Sequence, residues 1–279
     1  MGVPTLHRYG RDPSQVADLY LPEGGGPWPV AVVIHGGYWR ERYDRSLMNA
    51  VCADLARRGW AAWNLEYRRI AGGRGGWPQT FDDVAAGIDH LAELAGAVPL
   101  APTEAATDPA TDRTTAAATP ATSATPAATP TPIDTRRVVT IGHSAGGGLA
   151  LWAATRDRPR VPVTAAVGQA AVSDLARASR LGLSNGAADE LMGGPPDRVP
   201  ERYAAASPSE RLPLGVPTLL VHGGRDDTVP VELSRDLHAA AVAAGDDCKL
   251  VVHEHDGHFE HIDPATAAWG TVTRWTAAL

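Results

Sequence analysis

The alternation of short apolar runs with amphipathic stretches constrains this chain most. Residues 16–21, 30–35, 61–65, 137–141, 164–167, 218–222 and 250–253 are short runs dominated by Val, Ile, Leu and Ala. Helical patterns at 46–58, 81–94, 147–154, 231–244 and 264–278 fall between them. Strands without polar alternation are buried on both faces. Strand–helix alternation demands crossover connections and so a parallel sheet. The expected fold class is α/β: a doubly wound, mostly parallel sheet with helices on both faces. Ligands of such sheets sit at the carboxyl ends of the strands, so the residues just after each strand are the ones to read.

One segment breaks the pattern. Residues 97–132 comprise 12 Ala, 10 Thr, 7 Pro and 7 others, with no aromatic side chain. Proline recurs too often for a helix, and the bulky apolar surface is too small to offset ordering entropy. The segment reads as a disordered Ala/Thr/Pro-rich insertion in a connection, leaving 1–279 as one domain. Residues 183–206, with Asn185, Gly193, Gly194, Pro195 and Pro196, read as short helices forming a cap.

Composition removes several classes of function. Twenty-five basic residues stand against 32 acidic ones without a basic block, which argues against nucleic acid as a partner. Lys249 is the one lysine of the chain, so no P-loop is possible. Cys52 and Cys248 are too few for a disulfide framework or a zinc ribbon and read as core residues. No secretory leader is evident, and no run approaches eighteen apolar residues. The expected location is cytoplasmic, away from a membrane; oligomeric state is left open.

Four strand ends carry chemistry. After 137–141 comes Gly142-His143-Ser144-Ala145-Gly146, a Gly-x-Ser-x-Gly turn from strand to helix. Such a turn lifts a serine hydroxyl above the sheet edge, with helix N–H groups aimed at the same spot. Ser144 is the candidate nucleophile. After 30–34 comes His35-Gly36-Gly37-Tyr38-Trp39, whose Gly37 and Tyr38 N–H groups could join Ala145 N–H as an oxyanion hole. His35 reads as a residue that fixes this loop. After 218–222 come Asp226 and Asp227, and Asp174 follows the strand region near 164–167; each is a candidate to orient an imidazole. After 250–253, His253, His255, His258 and His261 lie within nine residues. His253-x-His255-x-x-His258 approaches the pattern of metallo-β-lactamase-like hydrolases, but Gly257 stands where that pattern needs an aspartate, and no second ligand cluster exists elsewhere. With Ser144 as nucleophile, His258 is the expected general base and the other three histidines are surface or structural.

Together these residues resemble the α/β-hydrolase superfamily. The segments 35–39 and 142–147 are similar to hormone-sensitive-lipase-type esterases and kynurenine formamidases. His222-Gly-x-x-Asp226-x-x-Val229-Pro230 resembles the superfamily's acid loop, and Gly257-His258-Phe259 its histidine loop. The resemblance implies an α/β-hydrolase fold and a Ser144–Asp226–His258 triad, in the chain order serine, acid, histidine. It favours Asp226 over Asp227 and Asp174. The implied activity is cleavage of a small-molecule ester or amide through an acyl-enzyme, with no metal or organic cofactor. A serine peptidase of the prolyl-oligopeptidase type is the alternative, and a non-enzymatic binding protein on the same fold is the third. Trp39, Tyr67 and Trp77 are the expected pocket aromatics. Glu66 either reaches the site or pairs with Arg68 or Arg69.

Overall fold

The computed structural model describes residues 3–70, 73–96 and 131–279. Its elements follow in chain order: β1 (Thr5–Arg8), β2 (Val16–Tyr20), β3 (Trp28–Ile34), α1 (Asn49–Arg57), β4 (Ala61–Leu65), α2 (Gln79–Asp89), α3 (Leu91–Leu94), β5 (Ile133–His143), α4 (Ala145–Ala154) and β6 (Ala165–Gln169). Then come α5 (Leu175–Arg180), α6 (Ala187–Met192), α7 (Pro200–Ala206), β7 (Thr218–Gly223), α8 (Glu232–Ala243), β8 (Cys248–His253) and α9 (Ala267–Thr276). The strands form one sheet in the order β1-β2-β4-β3-β5-β6-β7-β8. β1 and β2 are antiparallel to their neighbours, and every pair from β4 to β8 is parallel.

The central strands are apolar because both their faces are covered. Along β3, Val30, Val32 and Ile34 face a core shared with Trp63, Leu65, Phe81, Ile88 and Leu149. Ala31 and Val33, one residue out of phase, face Met48, Val51, Leu55, Trp269 and Val272 beneath α1 and α9. A smaller cluster around Leu220, Leu237 and Ala241 seats α8. Cys52 and Cys248 are both buried and unpaired.

Several element ends differ from the sequence reading for local reasons. β1 was not foreseen: its residues Thr5, Leu6 and Arg8 are exposed, so it lacks the burial signature of the other strands. The helical stretch from 46 begins as a 3-10 turn, Arg45–Met48, whose Ser46 N–H is capped by Asp44. The stretch from 264 starts late because Thr266 caps the Trp269 N–H of α9. The Ala/Thr/Pro-rich segment read at 97–132 lies, apart from Thr131 and Pro132, outside the described residues. On either side of it, the Thr131 N–H donates to Leu94 O at 2.8 Å, and the Trp28 N–H to Pro132 O at 3.0 Å. Among the described residues no helix is long and apolar enough to cross a membrane.

The chain reverses direction across the sheet at β3. β4 lies to one side of β3 and β5 to the other. A crevice opens at the carboxyl ends of strands where such a switch occurs. Here those ends carry His35-Gly36 and His143-Ser144.

Trp269 tests the layer beneath α9. It is fully buried, and its Nε1–H donates to Asp54 Oδ2 at 2.7 Å. Trp269→Ala is expected to lower stability by about 3–5 kcal/mol, read as a lower urea midpoint at an unchanged m-value.

Candidate active site

The turn between β5 and α4 holds Ser144 at φ 57° and ψ −121°. A non-glycine residue there is strained, at a cost of about 1–3 kcal/mol, and persists only when its surroundings dictate it. They do so here. The Ser144 N–H donates to Gln169 O at 2.8 Å, and Ser144 O accepts from the N–H groups of Gly147, Gly148 and Val172. A Cβ at Gly142 would stand 2.0 Å from Gly146 O, and one at Gly146 would stand 2.3 Å from both His35 O and Ile34 O. The Gly-x-Ser-x-Gly pattern is thus a statement about backbone touching backbone. Ala145 opens α4, where the first N–H groups have no partner within the helix.

The loop after β3 lies directly beside this turn. A Cβ on Gly36 would come within 2.8 Å of Ser144 Cβ. Gly37, Tyr38 and Trp39 all have positive φ, at 103°, 49° and 58°. The loop is fixed from beneath by His35, fully buried, whose Nε2–H donates to Glu66 Oε1 at 3.0 Å and whose ring stacks on Tyr67 at 4.4 Å. Burial alone would raise the Glu66 carboxyl, but the His35 hydrogen bond and charge, Arg69 and the Arg45 N–H together hold it below its usual range. Glu66 is therefore a brace for the loop and not a group of the cavity. The Tyr38 hydroxyl donates to Thr228 O at 2.8 Å, tying this loop to the one after β7.

After β7, Asp226 makes the contact expected of an orienting acid. The His258 Nδ1–H donates to Asp226 Oδ2 at 2.7 Å. Asp226 Oδ1 accepts from the N–H groups of Thr228 and Val229 at 2.9 and 2.8 Å. His222 Nε2 is 3.3 Å from Asp226 Oδ2, and this nitrogen also donates to Val229 O. Burial opposes ionisation of Asp226, yet the hydrogen bonds from His222 and His258 and the His258 charge outweigh it and hold the carboxyl far below its usual range. With Nδ1 carrying the proton, Nε2 is the lone-pair nitrogen of the neutral ring. Asp227 is exposed and bonds Thr228 Oγ1, while Asp174 caps α5 through the Arg177 N–H. Neither touches His258.

His143 joins the serine turn to the histidine loop by donating from Nε2 to His258 O at 2.8 Å, and Gln169 Nε2 donates to His261 O at 2.7 Å. The other histidines of the loop diverge. His253 meets Thr271 Oγ1, and His255 lies 3.3 Å from Arg225. Among the described residues no group of three or more His, Cys, Asp or Glu side chains is arranged to hold a metal ion.

Ser144 and His258 line one cavity of about 480 Å³ together with Gly37, Tyr38, Arg42 and Tyr43. Its other walls are Leu47, Leu181–Ser184, Asp227–Thr228 and Phe259. The aromatics expected there from the sequence are elsewhere. Trp39 turns into the core at 2% exposure, and Tyr67 is sealed beneath His35 with its hydroxyl on His35 O. Trp77 packs edge-on against Phe81 and lines a separate hollow beside Trp152 and Arg156. Tyr43 and Phe259 are the side chains missed; the position of Phe259 next to His258 was the available signal. The stretch between α5 and α6 supplies one wall through Leu181–Ser184, of which Leu183 and Ser184 belong to the segment 183–206 expected as a cap. A larger cavity of about 670 Å³ lies at the amino ends of the strands, between Trp60, Arg136 and Leu279, far from this chemistry.

The sequence profile of the Prolyl oligopeptidase family matches residues 122–270, the stretch containing Ser144, Asp226 and His258. The chain belongs to the prolyl oligopeptidase family. A second profile, BD-FAE, matches residues 17–106 of this family member, including Gly37 and Tyr38. Esterase LipC of Mycobacterium tuberculosis (strain ATCC 25618 / H37Rv) is 25% identical over 244 residues, which are 81% of this chain and 52% of LipC. The chain thus spans about half the length of that curated relative. Among solved structures, a truncated carbohydrate esterase from gut microbiota superposes with TM-score 0.73 at 19% identity, covering 98% of this chain and 95% of that one. The esterase Est2 of Thermogutta terrifontis gives TM-score 0.70 at 21% identity, covering 99% and 90%. The acetyl ester-xyloside bifunctional hydrolase of Caldicellulosiruptor lactoaceticus gives 0.71 at 20%, covering 98% and 96%. The fold of this prolyl oligopeptidase family member is that of the α/β-hydrolases.

The buried histidines behind His258 make stability sensitive to acid. Burial, reinforced by His222 and His258, pushes His261 down to about 3, and burial also pushes His143 well below its ordinary value. The unfolded chain protonates both near pH ~6.5. Below that pH the unfolded state binds more protons, so stability is full above pH ~6.5 and falls on acidification. His261→Phe is expected to flatten the slope of unfolding free energy against pH between about 6.5 and 4.5, above the ordinary aspartate range. Urea titrations at several pH values measure that slope.

Proposed function

We propose that the protein is a serine hydrolase that cleaves small-molecule carboxylic esters through an acyl-enzyme. The carrying observation is that Ser144, in its strained turn, shares a cavity with His258, whose Nδ1–H is held by Asp226 at 2.7 Å. In this reading Ser144 Oγ attacks the carbonyl carbon while His258 Nε2 takes the hydroxyl proton. Asp226 fixes the tautomer and stabilises the imidazolium. The N–H groups of Ala145, Gly37 and Tyr38 receive the oxyanion; in comparable sites loss of one such donor costs on the order of 3 kcal/mol. His258 then returns its proton to the leaving alcohol, and water attacks the acyl-enzyme with the same residue as base.

The likeness to LipC, named as an esterase, supports an ester over other acyl substrates. A second reading, peptidase activity, draws on the name of the family itself. An arylformamidase-like amidase is the third member of the comparison. A panel of p-nitrophenyl esters, N-formylkynurenine and aminoacyl-naphthylamides separates the three. Esters are expected to turn over fastest, and preferential cleavage of aminoacyl amides would reverse the ranking.

Ser144→Ala is expected to lower kcat on an aryl ester by at least about 10⁴-fold and to abolish labelling by a fluorophosphonate, with the unfolding midpoint unchanged or raised. Retention of most of the activity would refute the mechanism.

A further inference from the structure

We propose that Arg42 recognises a carboxylate carried by the substrate away from the bond that is cleaved, so that the preferred substrates are acidic esters. The inference rests on the reading of Ser144 as an ester-cleaving nucleophile and names the substrate class of that same site.

Arg42 lines the cavity that holds Ser144 and His258. Its guanidinium carbon lies 4.8 Å from the centroid of the Tyr43 ring. Tyr43 is itself held in place. Its N–H donates to Arg40 O at 3.2 Å, its carbonyl accepts from Arg69, and its side chain packs so tightly on Gly37 that a Cβ there would stand 2.5 Å from it. The guanidinium thus lies over the face of a ring clamped to the loop beside the nucleophile. A cation held over a ring face keeps N–H donors with which a guanidinium can meet a planar carboxylate in bidentate fashion.

Four arginines of the surrounding segments are committed. Arg40 pairs with Glu190, Arg45 with Asp18, Arg69 with Glu66 and Arg74 with Glu41. Among the described residues Arg42 has no carboxylate within 4 Å. In a chain of net charge −7, an arginine left unpaired at the mouth of a cavity stands out from its surroundings. The opposite charge sits on another wall, where Asp227 is exposed and, among the described residues, bonded only to Thr228. A substrate anion is drawn to the Arg42 wall and repelled from the Asp227 wall, which fixes its orientation. Leu181 and Phe259, 51% and 52% exposed, offer hydrocarbon contact to the rest of the molecule.

Three esters test this. p-Nitrophenyl butyrate is neutral, mono-p-nitrophenyl glutarate carries its carboxylate on the acyl side, and p-butyryloxybenzoate carries it on the leaving side. Arg42→Gln is expected to lower kcat/KM roughly ten- to hundredfold on one or both acidic esters, chiefly through KM, the size of a charge-assisted hydrogen bond. Its effect on the neutral ester should stay within about twofold, and Arg42→Lys should recover part of the loss. The acidic ester that responds tells which half of the substrate bears the anion. An equal loss on all three esters, or none on either acidic ester, overturns the proposal. Binding of mono-p-nitrophenyl glutarate to Ser144→Ala protein, followed by calorimetry, reads the contact without turnover. Loss of that binding in the Arg42→Gln, Ser144→Ala double variant supports it and unchanged binding overturns it, whereas failure of the esterase reading would show as no hydrolysis of any of the three esters.

Discussion

The contact of backbone against backbone at the carboxyl end of β5 governs the rest of the site. Ser144 keeps its unfavourable φ and ψ because its carbonyl is gripped by three N–H groups and its own N–H is taken by Gln169. Those bonds exist only if β3, β5 and α4 approach more closely than side chains permit, and Gly142 and Gly146 supply that approach. Strain of this kind is stored where the surroundings over-determine the chain. A side chain at either glycine would separate the helix from the sheet and release the turn. The position of the serine hydroxyl is therefore a property of the packed strands and not of serine.

The loops around that turn are fixed to one another as firmly as to the sheet. His143 and Gln169, each beside Ser144 in space, donate to the carbonyls of His258 and His261. Tyr38 donates to Thr228, which ties the loop after β3 to the loop after β7. Asp226 lies at the centre, accepting two backbone N–H bonds and the His258 ring. Around it, burial keeps His143 and His261 neutral at ordinary pH, so neither of these two adds a cation beside Asp226 and His258. An imidazolium formed at His258 would find its counter-ion already desolvated and hydrogen-bonded, which lowers the reorganisation needed when charge appears.

What could be read from the sequence divides along physical lines. The central strands announced themselves because both faces of Val30–Ile34 are covered, which leaves a continuous apolar run. The strand ends that carry Ser144, Asp226 and His258 were legible because a parallel sheet brings strand ends to one edge, and the likeness of the acid and histidine loops to the superfamily's singled out Asp226 and His258 from their neighbours. Glycine spacing carried the rest, since close approach leaves no other residue possible. The cavity walls were not legible. Whether an aromatic near a strand end turns inward or toward the cavity depends on partners remote in sequence. Tyr67 is held inward by the ring and carbonyl of His35, and Trp77 by Phe81 in α2. Tyr43 reaches the cavity only because Gly37 leaves room for its ring. β1 escaped notice for the opposite reason: an edge strand with exposed residues has no burial pattern to show.

This division separates chemistry from selectivity within one site. The groups proposed to react are positioned by main-chain contacts, and main-chain contacts tolerate little change. The walls that would meet the substrate are side chains of Arg42, Leu181, Asp227 and Phe259, borne on segments that leave the sheet and return to it. Their exposed parts contribute little to the core, so exchanging them alters charge and shape at the cavity mouth without disturbing the turn at Ser144. The two walls of opposite sign then act as an orienting field. An acidic substrate loses favourable interaction if it enters reversed, and the productive orientation is selected before any bond is broken.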